Sequence, residues 1–238
     1  MPELKSILLQ YFLLVFYLLQ WYIIVVKKED NKYFVLMADV FDSSNQSGVQ
    51  KKLHDAVSHI NQKKDTTWKT FFEITRGDEV AVIVDKTCGW FKVMRSFSDI
   101  VRPFQLRWVV IYDEIREGLS SESSAEATGP AFVIADQQMH ELKKTSLYAS
   151  IRTGYENIDQ QLAGIVNLFL ERLNKFSKLQ LDTIREYQHS RRQKTVAKKL
   201  GKTQQQIQQT LKSVNFQTID LAEKAIDLLV ETMNNKLR

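Results

Sequence analysis

The stretch Tyr33-Phe-Val-Leu-Met-Ala38, running straight into Asp39-Val-Phe-Asp42, decides how this chain is read. Its unbroken apolar run has no helical spacing and fits a strand covered on both faces, which puts carboxylates at that strand's C-terminal end. A second acidic group stands on the next pair of strands. Lys69-Thr-Phe-Phe-Glu-Ile-Thr-Arg76 and Glu79-Val-Ala-Val-Ile-Val84 flank the dipeptide Gly77-Asp78, a two-residue hairpin turn with Asp78 at its tip.

Working outward, Val49, Leu53, Val57 and Ile60 recur at helical spacing between the two blocks. After the hairpin, Trp90, Val93, Phe97 and Ile100 mark a second helix stopped by Pro103, and residues 106–112 form a further strand. The serine-rich acidic stretch 120–126 reads as an exposed loop. Gly129-Pro130 then opens a third helix with Phe132, Ala135, Met139 and Leu142 on its buried side. The order βαββαβ plus a helix gives an α+β layer over residues 32–145. Beyond Ser146 the period is helical only, with Ile158, Leu162, Ile165, Leu168, Phe169 and Leu173 on one long segment, so 146–238 is expected to be an all-helical domain.

The chain has 238 residues, 44% of them hydrophobic, enough for one large or two small domains with a sizeable core. Its single cysteine, Cys88, excludes an intramolecular disulfide and a cysteine-rich zinc site, and reads as a small buried hydrophobe. Histidines 54, 59, 140 and 189 show no zinc spacing. Residues 1–31 stand apart. The span 7–26 is uncharged, broken only by Gln10 and Gln20, and at about 1.5 Å per residue is just long enough to cross a bilayer. Trp21 and Tyr22, followed by Lys27 and Lys28, resemble an interfacial belt with its positive side inward, so the membrane is an expected partner and the remaining domains are expected in the cytoplasm at the inner face of the cytoplasmic membrane. An extra core helix and a misassigned translation start compete with that anchor.

Magnesium or manganese needs hard oxygen ligands, and two carboxylates from adjacent strand ends can hold one while leaving positions open for phosphates. Asp39 and Asp78 are the candidate metal ligands; Asp42, Gly77, Glu79 and Arg107 complete a candidate nucleotide site. Each also has a plain structural role open to it, as turn and capping residues. The order of strand-Asp39, helix, hairpin Gly77-Asp78 and Arg107 at the head of another strand resembles the palm-like, ferredoxin-like catalytic domain of class III nucleotidyl cyclases.

A closer resemblance is to the bacterial SatD family, carried by Ala38-Asp39-Val40-Phe41-Asp42-Ser43, Thr75-Arg76-Gly77-Asp78-Glu79 and Gly129-Pro130-Ala131-Phe132 with Ala135. It runs from about Tyr33 to the C-terminus and implies architecture more than activity. Two departures from that family stand out: Val110-Ile-Tyr-Asp113 where a glycine-rich strand is usual, and Ser44 where a basic residue is frequent. Set against the cyclases, Val133 stands where the resemblance implies a transition-state asparagine, Gln137 where it implies an arginine, and Ile74 where it implies a purine-selecting polar residue. The groups that would stabilise developing phosphate charge are missing.

From Tyr187 to Ile219 there is no Asp or Glu, yet Arg191, Arg192, Lys194, Lys198, Lys199, Lys202 and Lys212 all fall there. That positive field suits phosphates. Within it, residues 195–211 resemble a helix-turn-helix: Ala197 is small where helices would cross, Gly201 can take a left-handed turn, and Val196, Leu200, Ile207 and Leu211 form the buried side. Thr203 would cap the second helix, Gln204, Gln205 and Gln208 would face base edges, and Lys198, Lys199 and Lys202 would meet phosphates. A helical hairpin with a solvated basic face is the bland alternative.

The expectation is therefore a regulatory, DNA-binding protein whose palm-like domain senses a metal or nucleotide, a binding protein rather than an enzyme. The alternative is a metal-dependent nucleotidyl-transfer enzyme using Asp39 and Asp78, with the helical tail serving to form a homodimer.

Overall fold

A computed structural model describes residues 31–237 and Tyr17. The chain divides into two units, 1–32 and 33–238, and the second holds the fold described below. Strand β1 (Lys32–Val40) is followed by a 3-10 turn at Ser43–Asn45 and helix α1 (Val49–Asn61). The hairpin β2 (Glu73–Arg76) and β3 (Glu79–Val84) leads to α2 (Trp90–Val101), β4 (Leu106–Glu114), α3 (Pro130–Lys143) and β5 (Ala149–Arg152). Five helices complete the chain: α4 (Glu156–Asn174), α5 (Lys178–Ser190), α6 (Gln193–Leu200), α7 (Gln204–Ser213) and α8 (Phe216–Leu237). A mixed α/β region is thus followed by an all-helical one.

The sheet order is β2-β3-β1-β4-β5. β1 and β3 pair antiparallel from Phe34↔Val84 to Asp39↔Glu79, and β4 pairs with β5 in parallel. Side-chain alternation sorts the sheet into two faces. Phe34, Leu36, Ala38, Val82 and Val110 point into a large cluster shared with α1, α2 and the helical region, while Val35, Met37, Ile83, Val109 and Ile111 meet α3 through Ala131, Ala135, Met139 and Leu142. Covering both faces explains why β1 and β3 read as continuous apolar runs.

Three expectations need correction. Residues beyond 146 are not all helical, because β5 adds a strand at 149–152 beside β4. Four residues show no usable period, and the edge of β5 is closed by side chains of α4. Asn167 accepts from Tyr148 N and Ala149 N, donates to Ala149 O, and Asp159 accepts from Thr153 N. These groups take the place of a neighbouring strand.

The stretch 120–126 is not simply an exposed loop. Ser124 is buried, and the Glu73 carboxylate accepts from Ser123 Oγ, Ser124 Oγ and Ala125 N. Burial works to raise the Glu73 pKa, yet these hydrogen bonds hold it below the usual range. On α4, Leu168 is 68% exposed, and Val166 and Leu170 are buried instead.

The membrane expectation is corrected as well. Among the described residues no helix is long and apolar enough to cross a membrane, and the span 7–26, Tyr17 apart, lies outside the described residues. The membrane is not carried forward as a partner, nor is the homodimer, for which neither fold nor family speaks.

Candidate functional site

Asp39 ends β1 on the α3 face, and its burial draws a specific set of partners. Lys143, in the last turn of α3, places Nζ 2.6 Å from Asp39 Oδ1, while Arg107 Nη1 on β4 lies 3.7 Å from Oδ2. The Arg107 guanidinium lies 3.6 Å from the centre of the Phe41 ring, which packs in turn on Tyr148. Stacking and the carboxylate together fix that guanidinium, and its Nε is buried without a hydrogen-bond partner among the described residues.

Glu79 is directly opposite Asp39 across the β1–β3 ladder, and its Oε1 accepts from Thr75 Oγ1 at 3.2 Å. Burial raises the pKa of both acids. At Asp39 the Lys143 hydrogen bond and charge oppose that rise, and nearby Asp78 adds to it. At Glu79 the Thr75 hydroxyl opposes the rise and the charge of Asp136 adds to it. Asp136 itself pairs with Arg76 at 3.6 Å. The result is a cross-strand pair of buried carboxylates beneath a shared lysine.

The structure therefore brings Asp39, Glu79 and Arg107 together and leaves the other expected residues around them. Asp78 lies within electrostatic range of Asp39 at the hairpin tip, and Gly77, with φ +55°, accepts from Gln50 Nε2 through its carbonyl. Asp42 is exposed and left-handed at the start of the 3-10 turn, where its carbonyl accepts from Asn45 N and its side chain makes no capping hydrogen bond among the described residues. Lys143 and Asp136 were not anticipated. They sit seven residues apart on α3, two helical turns on one stripe, and that spacing was the available signal.

Asp39 and Glu79 are hard oxygen donors of the kind magnesium or manganese takes. Among the described residues, however, no group of three or more His, Cys, Asp or Glu is placed to hold a metal ion. The Asp39 charge is already met by Lys143 and Arg107.

In the helical region, α6 and α7 are joined by Gly201, Lys202 and Thr203. Gly201 takes φ +62°, which only a residue without Cβ adopts at little cost, and Lys202 N donates to Ala197 O across the turn. Thr203 and Gln206 form a reciprocal capping box at the start of α7. Val196, Ile207 and Leu211 are buried as expected and Ala197 is buried too, whereas Leu200 is only half-buried. Gln204, Gln205 and Gln208 are exposed, whereas the Gln206 side chain is spent on the cap.

The lysines divide. Lys199 pairs with Glu186 on α5 at 2.6 Å, and Arg191 makes two hydrogen bonds to Asp220, so both charges are largely consumed. Lys198 and Lys202 are exposed, and among the described residues they have no ion-pair partner.

The molecule thus presents a mixed α/β layer with a charged cluster at one strand end, followed by helices that carry a basic, glutamine-rich pair. The chain belongs to the SatD family, whose model covers residues 33–229. No curated protein matches it.

Proposed function

We propose that this SatD-family chain is a regulatory protein that binds duplex DNA through α6 and α7, used as a helix-turn-helix, and that its α/β layer carries a cation- or nucleotide-responsive site around Asp39. One observation carries the DNA reading. The exposed glutamines of α7 stand beside unpaired lysines, on a turn held by Gly201 and the Thr203 cap, within a stretch that has no acid. A hairpin serving only to pack has no need of that combination. Glutamine on a helix entering the major groove can pair with adenine, and unpaired lysines release counterions from phosphates.

For the α/β layer, the order β2-β3-β1-β4 supports a ferredoxin-like palm of the cyclase kind. Paired carboxylates favour cation binding there. Nucleotidyl transfer is less well supported, because Val133 and Gln137 are exposed where charge-stabilising groups would be needed and Lys143 already sits on Asp39. The layer is read as a binding site rather than a catalytic one.

The test is fluorescence anisotropy of the whole chain on duplex DNA across a salt series. Lys198→Ala with Lys202→Ala should weaken binding to all sequences and flatten the log–log salt slope by about one unit per lost contact. Gln204→Ala with Gln205→Ala should cost roughly 1–3 kcal/mol on a selected site and little on random duplex. No binding at low salt removes the proposal. Salt-sensitive binding that ignores the glutamines reduces it to attraction for polyanions.

A further inference from the structure

A polar groove of about 780 Å³ lies where the end of α1 and one face of α2 meet α5 and α8. Its walls hold six lysines and arginines and two histidines against four carboxylates, a formal charge of +2 with the histidines neutral. Asp227 pairs with Lys92 at 3.3 Å and Glu223 with Arg95, and the other two carboxylates are outnumbered locally. Asp99 faces Arg95 at 3.8 Å, Arg102 at 3.6 Å and Arg185 at 3.7 Å. Asp220 takes both Arg191 at 2.6 Å and Lys224 at 2.8 Å. Lys63, at the rim, has no ion-pair partner among the described residues.

Arg95 forms part of the groove wall and is 8% exposed. Its Nη1 donates to Glu223, which also accepts from Gln188, and its guanidinium lies over the Phe169 ring. The Arg95 Nε is buried, lies 3.8 Å from the Asp99 carboxylate and has no hydrogen-bond partner among the described residues. The excess of positive charge along the groove attracts anions. Ile100 is the one aliphatic side chain of the lining, and charged and N–H-bearing side chains make up most of the rest.

We propose that this groove binds a small molecule carrying a phosphate dianion. Two negative charges match the +2 of the walls, and the Lys63 ammonium, which has no ion-pair partner among the described residues, is free to meet a phosphate oxygen. The site is separate from the Asp39 cluster and belongs to both regions of the chain. α1 and α2 come from the α/β region, while α5 and α8 hold the helices α6 and α7, so a bound phosphate ties the two regions together.

Isothermal titration of the whole chain with inorganic phosphate and with pyrophosphate, at fixed ionic strength, tests this. Saturable binding is expected. Lys63→Glu, on an exposed side chain, takes the groove from +2 to neutral and should weaken it by about tenfold or more without lowering the melting temperature of the free protein. Arg95→Lys keeps the charge but removes the Nε donor and should weaken it less. Lys198→Ala with Lys202→Ala should leave phosphate binding unchanged while weakening DNA binding, which separates this groove from the DNA-binding helices. Absence of saturable binding overturns the proposal, as does phosphate binding that is lost in the Lys198/Lys202 variant and kept in Lys63→Glu.

Discussion

Replacing Lys143 with Met removes the nearest cation from a carboxylate that is 5% exposed. Breaking a fully buried ion pair costs about 3–5 kcal/mol, and exposed pairs are worth about 0.2–1 kcal/mol. Lys143 is 44% exposed and Arg107 still faces the other Asp39 oxygen, so the loss should fall between these limits, at about 1.5–2.5 kcal/mol near neutral pH. For a chain of this size that is roughly 4–8 °C in melting temperature.

The pH dependence fixes the cause. Burial raises the folded-state pKa of Asp39 above its unfolded value, so ionising it costs stability as pH climbs through the folded value, and Lys143 limits that cost. Without the lysine the folded pKa rises further. The deficit of Lys143→Met should therefore be largest at neutral pH and shrink as pH falls toward the unfolded carboxyl value near about 3.9. Urea melts of wild type, Lys143→Met, Asp39→Asn and the double variant supply the double-mutant cycle. An equal cost of Lys143→Met in the Asp39→Asn background, or a deficit that persists in acid, would refute the ion-pair account in favour of lost packing.

Other perturbations read different parts of the fold. Asn167→Ala strips Tyr148 N, Ala149 N and Ala149 O of their partners at the β5 edge and should cost about 2–4 kcal/mol in urea melts, with Asn167→Asp intermediate because it keeps the acceptor. Gly201→Ala should cost about 1 kcal/mol through its left-handed backbone alone, since a Cβ there meets nothing within 4 Å, and Gly201→Asn should cost less. Burial pushes the Cys88 thiol up to about 11, so a thiol reagent at neutral pH should label native protein far more slowly than unfolded protein; equal rates would contradict the buried position.

The strands and helices that read clearly from sequence carry their own periodicity. β1, the hairpin and α3 are fixed by apolar runs, by a Gly-Asp turn and by Gly129-Pro130, all local signals. β5 has no such signal, because Ala149-Ser-Ile-Arg152 becomes a strand only through pairing with β4 and through Asn167 and Asp159 on a later helix. The acidic site was legible only in part for the same reason. Asp39 stands out at the end of an apolar run, whereas Glu79 becomes its neighbour through ladder register and Lys143 through the packing of α3. Asp78 looked the better partner because a hairpin tip is visible in sequence, but the tip is half-exposed while Glu79 points under the helix.

The alternation of β1 also decides which site can act on α6 and α7, the helices proposed to bind DNA. Asp39 follows Val35 and Met37 on the face covered by α3, while Ala38 and Val40 share the large core with Leu181, Ile184, Val196, Ile207 and Leu211 of α5, α6 and α7. Any effect of a cation at Asp39 must cross the sheet before it reaches those helices. The groove at Arg95 lies on their own side and is walled by α5 itself. That core runs without a break from β1 to α8, so α6 and α7 do not form a separable body, and residues 146–238 alone would expose the apolar surface that Phe91 and the sheet now cover. If α6 and α7 bind DNA as proposed, a ligand in the groove would act on them by stiffening or loosening α5 against α2, whose Gln188 and Arg95 are joined through Glu223 of α8.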